Sequence, residues 1–317
     1  MKDINIGIIG LGAIGERLLK QFNAHAATTI TAISDVNEQR IAEMQELLPG
    51  VRTYSDYHDL ITDETVDVVY VAVPPKLHHP IALAVLEAGK HILCEKPLAN
   101  SYQEAEEMQE KAKSVGVVNA INFPLPYSNS AQQLADQIQS GRIGEIKRIE
   151  LTMQFPEWPR AWQQNDWIAG REQGGFIREI TPHFIQLTQR VFGSISNIQS
   201  FIDFPENEEA CETGVIARME LKDSTPILIN GLSSIGKKEE LAYRVYGDKG
   251  VISLLNWGQL ILTSKEGEEV LTERQPYPGL IDELVKAVAG ERASLVTFEE
   301  GFAVQQVLEG LLGKQNA

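Results

Sequence analysis

The chain has 317 residues, enough for about two domains that each bury an ordinary core. With 43% hydrophobic and 23% charged residues it falls in the soluble globular class, and no apolar run reaches membrane-spanning length. Acidic residues outnumber basic ones by 44 to 28, and a net charge of −16 repels phosphate backbones and anionic lipid, which excludes nucleic acid and membrane as general partners.

Met1-Lys2-Asp3-Ile4 leads straight into a short apolar run without a secretory signal pattern, so a cytoplasmic protein is expected. Apolar runs at 4–10, 29–35, 67–73, 91–94 and 117–121, with a short one near 51–54, predict six buried strands. Helical patterns at 14–22, 38–48, 80–88 and 102–114 alternate with them, and Gly89 and Gly116 stop the last two. This rhythm predicts a doubly wound dinucleotide-binding domain over residues 1–122. Phe123-Pro124-Leu125-Pro126 breaks it and marks the expected boundary of a second domain, 123–317.

After a helix at 129–140, runs at 146–155, 195–204, 213–221, 225–233, 242–246, 251–255 and 260–263 read as strands joined by short turns, with Asp223-Ser224 and Asp248-Lys249-Gly250 as turn signals. The expected architecture is α/β overall: a Rossmann domain, then an α+β domain with a large, open, mostly antiparallel sheet. Helices near 182–192, 280–289 and 299–312 are expected to cover one face, leaving the other solvated or paired with another subunit.

Gly10-Leu11-Gly12-Ala13-Ile14-Gly15 is a GxGxxG turn between strand and helix. Gly10 permits the tight turn, Gly12 the approach of a pyrophosphate, Gly15 close helix–strand packing, and the helix start supplies N–H donors at Ala13 and Ile14. Asp35 ends the second strand 20 residues past Gly15, where an acid binds the adenosine ribose hydroxyls and repels a 2′-phosphate, which favours NAD. Arg40 lies near enough in sequence to keep NADP open. Pro74, in Val73-Pro74-Pro75, shapes a rigid loop at the end of the fourth strand. His78 and His79 read as residues that cap or solvate a helix start. Cys94 and Cys211 stand in strand-like apolar runs, in no metal-ligand spacing, and read as reduced core residues; no metal site is expected.

Glu95-Lys96-Pro97 ends the fifth strand, where the ligand crevice of an open α/β sheet lies. A Lys held there between a Glu and a Pro is placed for chemistry. The segment from Gly174 to His183 carries Glu179 and His183 four apart, so on one helix they share a face. Pro182 leaves two arrangements open: a helix beginning after a Thr181 cap, with Glu179 in the preceding loop, or an earlier helix that Pro182 kinks. His183 has the intrinsic pKa for proton transfer near neutrality, and Glu179 could orient it or tune the Lys.

These features resemble the glucose–fructose oxidoreductase / inositol dehydrogenase (Gfo/Idh/MocA) family across nearly the whole chain: Gly10–Gly15, Val73-Pro74-Pro75, Cys94-Glu95-Lys96-Pro97-Leu98, Gly174–His183 and Glu299-Glu300-Gly301. The resemblance implies NAD(P)-dependent hydride transfer to or from a secondary alcohol of a sugar, cyclitol or related ring compound, with Lys96 and Glu95 by the cofactor, His183 as acid/base and Glu179 in the place of the usual Asp. It also implies an aromatic position near the cofactor at Trp162, and a homodimer or homotetramer formed through the second-domain sheet. Three departures stand out: Glu179 for Asp, Thr181-Pro182 for a small-residue pair, and Pro124-Leu125-Pro126 where many members carry Asn and Arg. The alternative is a dinucleotide-binding regulatory protein without turnover.

Overall fold

The computed structural model describes residues 4–163, 165–271 and 277–313. The first sheet collects β1 (Ile4–Ile9), β2 (Thr28–Ser34), β3 (Arg52–Tyr54), β4 (Val68–Val71), β5 (His91–Glu95) and β6 (Asn119–Asn122). All its pairings are parallel and its order is β3-β2-β1-β4-β5-β6. A central parallel strand is covered on both faces, so it must be apolar along its length; β4 (VVYV) is buried throughout and β1 nearly so. Strand order reverses between β1 and β4, which sets the ligand crevice beyond their carboxyl ends.

The connecting helices are α1 (Ala13–Ala24), α2 (Glu38–Leu47), α3 (Tyr57–Thr62), α4 (His78–Glu87) and α5 (Tyr102–Val115). Local chemistry sets their ends. Ser101 accepts from the Glu104 N–H at the start of α5, and Gly116 closes it at φ 73°, a left-handed position that glycine takes without a Cβ penalty.

The second sheet has the order β14-β13-β12-β11-β7-β10-β9-β8. Its strands are β7 (Ile146–Gln154), β8 (Ile195–Asp203), β9 (Gly214–Leu221), β10 (Pro226–Leu232), β11 (Glu240–Gly247), β12 (Gly250–Leu255), β13 (Gln259–Ser264) and β14 (Gly267–Leu271). Only β7 and β10 run parallel to each other; the other pairs are antiparallel. Burial alternates along β9 and β10, with Val215, Ala217, Met219, Ile227 and Ile229 inward and Ile216, Arg218 and Asn230 outward, the period-2 mark of a one-sided sheet. Helices α6 (Asn129–Gln139) and α7 (Phe176–Phe192) belong with this sheet: α6 packs by β12 and β13, and Phe184 of α7 stacks on Tyr243 of β11.

Two compact units result: residues 1–123 with 278–305, and residues 124–277 with 306–317. The segment holding α8 (Leu280–Val288) and the start of α9 (Phe298–Leu311) therefore returns to the first sheet rather than covering the second. The Ile121 N–H donates to the Val296 carbonyl, the Asn119 side chain accepts from the Phe298 N–H, and His25 meets Asp282. A Cβ at Gly301 would lie 1.9 Å from Ile121 Cδ1, so α9 packs closely on β6 there. Strand β14 and the short helix α3 were not among the predicted elements.

Candidate functional site

In the first unit, the three motif glycines differ in what constrains them. A Cβ on Gly10, whose φ is 94°, would lie 2.3 Å from the Ala72 carbonyl oxygen, and one on Gly15 would lie 2.1 Å from the Gly10 carbonyl oxygen. A Cβ on Gly12 would meet nothing within 4 Å. Packing thus demands the outer two, while the middle one faces open space at the start of α1, where Gly12 gives no side-chain cap to the Ala13 end of the helix. A helix start with uncapped N–H groups beside open space fits a pyrophosphate.

Asp35 ties its carboxylate to this loop, accepting from the Leu11 N–H at 2.6 Å and the Asn37 N–H at 2.8 Å. Each carboxylate oxygen keeps lone-pair capacity for ribose hydroxyls. Arg40 is committed elsewhere. It donates to the Leu11 carbonyl through Nε at 3.0 Å and Nη2 at 2.7 Å, to Glu16 at 2.7 Å, and to Glu43. Those carboxylates raise its pKa. Four bonds and two acids already surround the cation that a 2′-phosphate would need.

At the end of β5, Glu95 points inward. Its Oε1 accepts from the Tyr70 hydroxyl and from Asn122 Nδ2 at 2.6 Å, and burial pushes its pKa up. Lys96 follows, half-exposed between buried Glu95 and buried Pro97. Anchored neighbours on both sides fix where the lysine backbone sits. His78 adds a further tie: its ring nitrogens lie 2.8 Å from the carbonyls of Pro97 and of Val73, joining the loop that bears Lys96 to the loop that bears Pro74. Burial pushes this imidazole's pKa down, and a neutral ring has one N–H to donate to either carbonyl. The expectation that both histidines cap or solvate the helix start fails for His78, which is fully buried; His79, half-buried at the second residue of α4, meets Glu107 at 2.8 Å.

In the second unit, α7 begins at Phe176 and runs through Pro182, which resolves the two arrangements in favour of the earlier start. Glu179 and His183 lie on one helix, four apart, on the same face. Pro182 has no N–H for the Arg178 carbonyl, and Thr181 turns its hydroxyl back to the Ile177 carbonyl at 2.6 Å. The His183 ring is edge-on to Trp257, 5.2 Å between centroids. Trp257 sits in the β12–β13 turn, where Asn256 and Trp257 both take positive φ (47° and 71°), a conformation that aims the indole. Trp162 lies on an exposed turn, 66% accessible. Sequence reasoning passed over Trp257; the Asn256-Trp257-Gly258 turn was its only local signal.

A buried carboxylate also went unforeseen. Glu212, from the segment before β9, accepts from the Ile177 N–H at 2.6 Å. Burial pushes its pKa up to about 7, against the pull of that N–H and of Arg178. Between the ordinary value of 4.5 and about 7 the folded state holds the extra proton, so stability falls as pH rises through that window. Relative to Glu212→Gln, the wild type should lose about 3 kcal/mol of unfolding free energy between about pH 4.5 and pH 8. Urea titrations of both proteins across that range read it, and parallel curves would refute the shift.

The described residues hold no cluster of His, Cys, Asp and Glu able to bind a metal, and no described helix is long and apolar enough to cross a membrane. Both cysteines are free and buried.

A glycine-rich crevice on a 3-2-1-4-5-6 parallel sheet, followed by a large mostly antiparallel sheet, defines a two-domain dinucleotide-binding protein of the Rossmann class. The chain belongs to the Gfo/Idh/MocA oxidoreductase family: residues 4–123 match its NAD-binding Rossmann fold and 135–316 its C-terminal alpha/beta domain. It is 31% identical over 190 residues to a myo-inositol 2-dehydrogenase of Thermotoga maritima, covering 60% of this chain and 55% of that one. It is 27% identical to a 1,5-anhydro-D-fructose reductase of Ensifer adhaerens, covering 93% and 91%. The matched region spans about half the length of several curated relatives. In fold, it superposes on a dehydrogenase from Bordetella pertussis solved with NADH and UDP-GlcNAcA, with a TM-score of 0.84, 18% identity, and 99% and 95% of the two chains covered.

Proposed function

We propose that this chain is an NAD-dependent oxidoreductase that moves hydride between the cofactor and a secondary alcohol or ketone of a sugar, cyclitol or related ring compound. One observation carries the reading: Lys96 is half-exposed at the crevice end of β5 in an NAD-binding domain, with Glu95 and Pro97 on either side buried and tied down. The relatives' names supply the substrate class, and as dehydrogenases and reductases they disfavour a regulator without turnover.

Bound NAD supplies a hydride acceptor at C4 of the nicotinamide, and NADH a donor. Gly10, Gly12, Ala13, Ile14 and Gly15 would hold the pyrophosphate, and Asp35 the ribose hydroxyls. Pro74 and the Glu95–Lys96 loop would line the crevice, and Trp162 would lie by the cofactor as the family resemblance implies. In alcohol oxidation His183 would accept the hydroxyl proton, Lys96 would stabilise the developing alkoxide, and Glu179 would orient or tune them. The apolar wall of Trp257 beside His183 would limit water at the proton acceptor.

The same proposal includes a homodimer or homotetramer through the outward face of the second sheet. Phe201 is 77% and Ile216 65% exposed, and they are cross-strand partners on β8 and β9. We place the reaction in the cytoplasm, a reducing compartment that suits two free buried thiols.

The test is NADH formation from NAD+ with myo-inositol and levoglucosan, and NADH consumption with 1,5-anhydro-D-fructose and inososes. NAD is expected to outperform NADP by about 100-fold in kcat/KM, because Asp35, Glu16 and Glu43 place negative charge where the 2′-phosphate would go. A preference for NADP would overturn the cofactor assignment.

A further inference from the structure

Helix α7, which carries Glu179 and His183, starts without a cap of its own. Its first flanking residue is Gly175, which has no side chain to offer the orphan N–H groups. The missing acceptor comes from 35 residues away: the Glu212 carboxylate reaches the Ile177 N–H at 2.6 Å in a buried setting. The backbone is shaped around that contact. Gly175 has φ 92°, and a Cβ there would lie 2.1 Å from Glu212 Oε2. A Cβ at Gly174 would lie 2.3 Å from the carbonyl oxygens of Ile168 and Trp167.

The segment that delivers Glu212 is fastened to the loop before α7. The Arg171 N–H donates to the Glu209 carbonyl, Arg171 Nε to the Ala210 carbonyl, and the Cys211 N–H to the Ala169 carbonyl at 2.8 Å. Arg178, on the first turn and almost wholly buried, lies 3.8 Å from Glu309 and adds positive charge near Glu212. A carboxyl oxygen, ionised or neutral, satisfies an orphan N–H at the start of this 17-residue helix, and here it also sets where the helix begins.

We propose that Glu212 is a positioning residue for the reaction: its carboxylate, brought from the segment before β9, fixes the start and rotation of α7 and so the placement of the Glu179–His183 pair. This rests on the assignment of that pair to proton transfer. Without the contact, α7 begins at a later residue or turns about its axis, and the His183 ring leaves its place beside Trp257. Glu212 acts through the helix backbone, at the Ile177 N–H.

The experiment compares Glu212→Ala, Glu212→Gln and Gly175→Ala in the full chain. Three readouts are used: amide exchange at Ile177, NADH affinity by fluorescence, and turnover with the panel compound that the wild type reduces or oxidises fastest. In Glu212→Ala, exchange at Ile177 accelerates and kcat falls about 10- to 100-fold, the scale of an ångström-sized misplacement, with NADH affinity unchanged. Glu212→Gln keeps a carbonyl acceptor and restores both exchange protection and kcat. Gly175→Ala, which pushes the carboxylate aside, behaves like Glu212→Ala. Accelerated exchange at Ile177 with wild-type kcat would overturn the proposal, as would a Glu212→Gln variant no better than Glu212→Ala. A His183→Asn variant with full turnover would instead remove the proton-transfer assignment, while the exchange result would still report on the cap.

Discussion

Replacing Lys96 with Met is expected to lower kcat by about 10²- to 10³-fold, the usual cost of losing one donor to a developing oxyanion, while NADH still binds with wild-type affinity. The side chains are similar in length, and the lysine is half-exposed. Its neighbours remain fixed: Glu95 by Tyr70 and Asn122, Pro97 by His78. The groups assigned to the cofactor's phosphates and ribose, the start of α1 and Asp35, are untouched by the change. A loss in kcat with unchanged cofactor affinity is the signature of an interaction made in the transition state. Unchanged turnover would sink the role given to Lys96.

Replacing Gly12 with Val is expected to weaken NADH binding by about 100-fold or more, close to 3 kcal/mol, with little change in unfolding free energy. Gly12 has φ −65° and ψ −177°, a conformation open to any L residue, and a Cβ there meets no protein atom. The side chain would occupy only the space above the helix start, where the pyrophosphate belongs. Gly10 and Gly15 give the contrast. Their Cβ atoms would run into backbone at 2.3 and 2.1 Å, so alanine at either position costs stability as well as binding. Titration of NADH fluorescence beside urea unfolding separates the two classes. If Gly12→Val unfolds as readily as Gly10→Ala, or binds NADH normally, the pyrophosphate assignment fails.

What the sequence made legible was local. The GxGxxG turn, Asp35 and the strand-to-loop placement of Lys96 lie within short windows whose spacing has a direct mechanical meaning. The six-strand rhythm was readable because buried parallel strands must be apolar along their length. Long-range contacts were not readable. Pro182 left two helix starts open, and α7 starts six residues before it, where Glu212, 35 residues away, meets the Ile177 N–H. The amphipathic pattern of α8 marks an apolar face but not its partner, and the chain around it returns to β6 through Val296 and Phe298. Strand β14 is exposed along most of its length and carries little apolar signal. His78 resembled an ordinary helix-start residue, since the carbonyls it joins belong to two separate loops.

The proposed reaction is hydride transfer between NAD(H) and a ring alcohol or ketone. The most direct test is NADH carrying deuterium at both C4 positions, incubated with 1,5-anhydro-D-fructose and a set of inososes, with the products analysed by mass spectrometry. One deuterium is expected at the new carbinol carbon of at least one product, with labelled product forming about 10²- to 10³-fold more slowly in Lys96→Met. Saturating NADH binding with no deuterium delivered to any ketone in the set would contradict it.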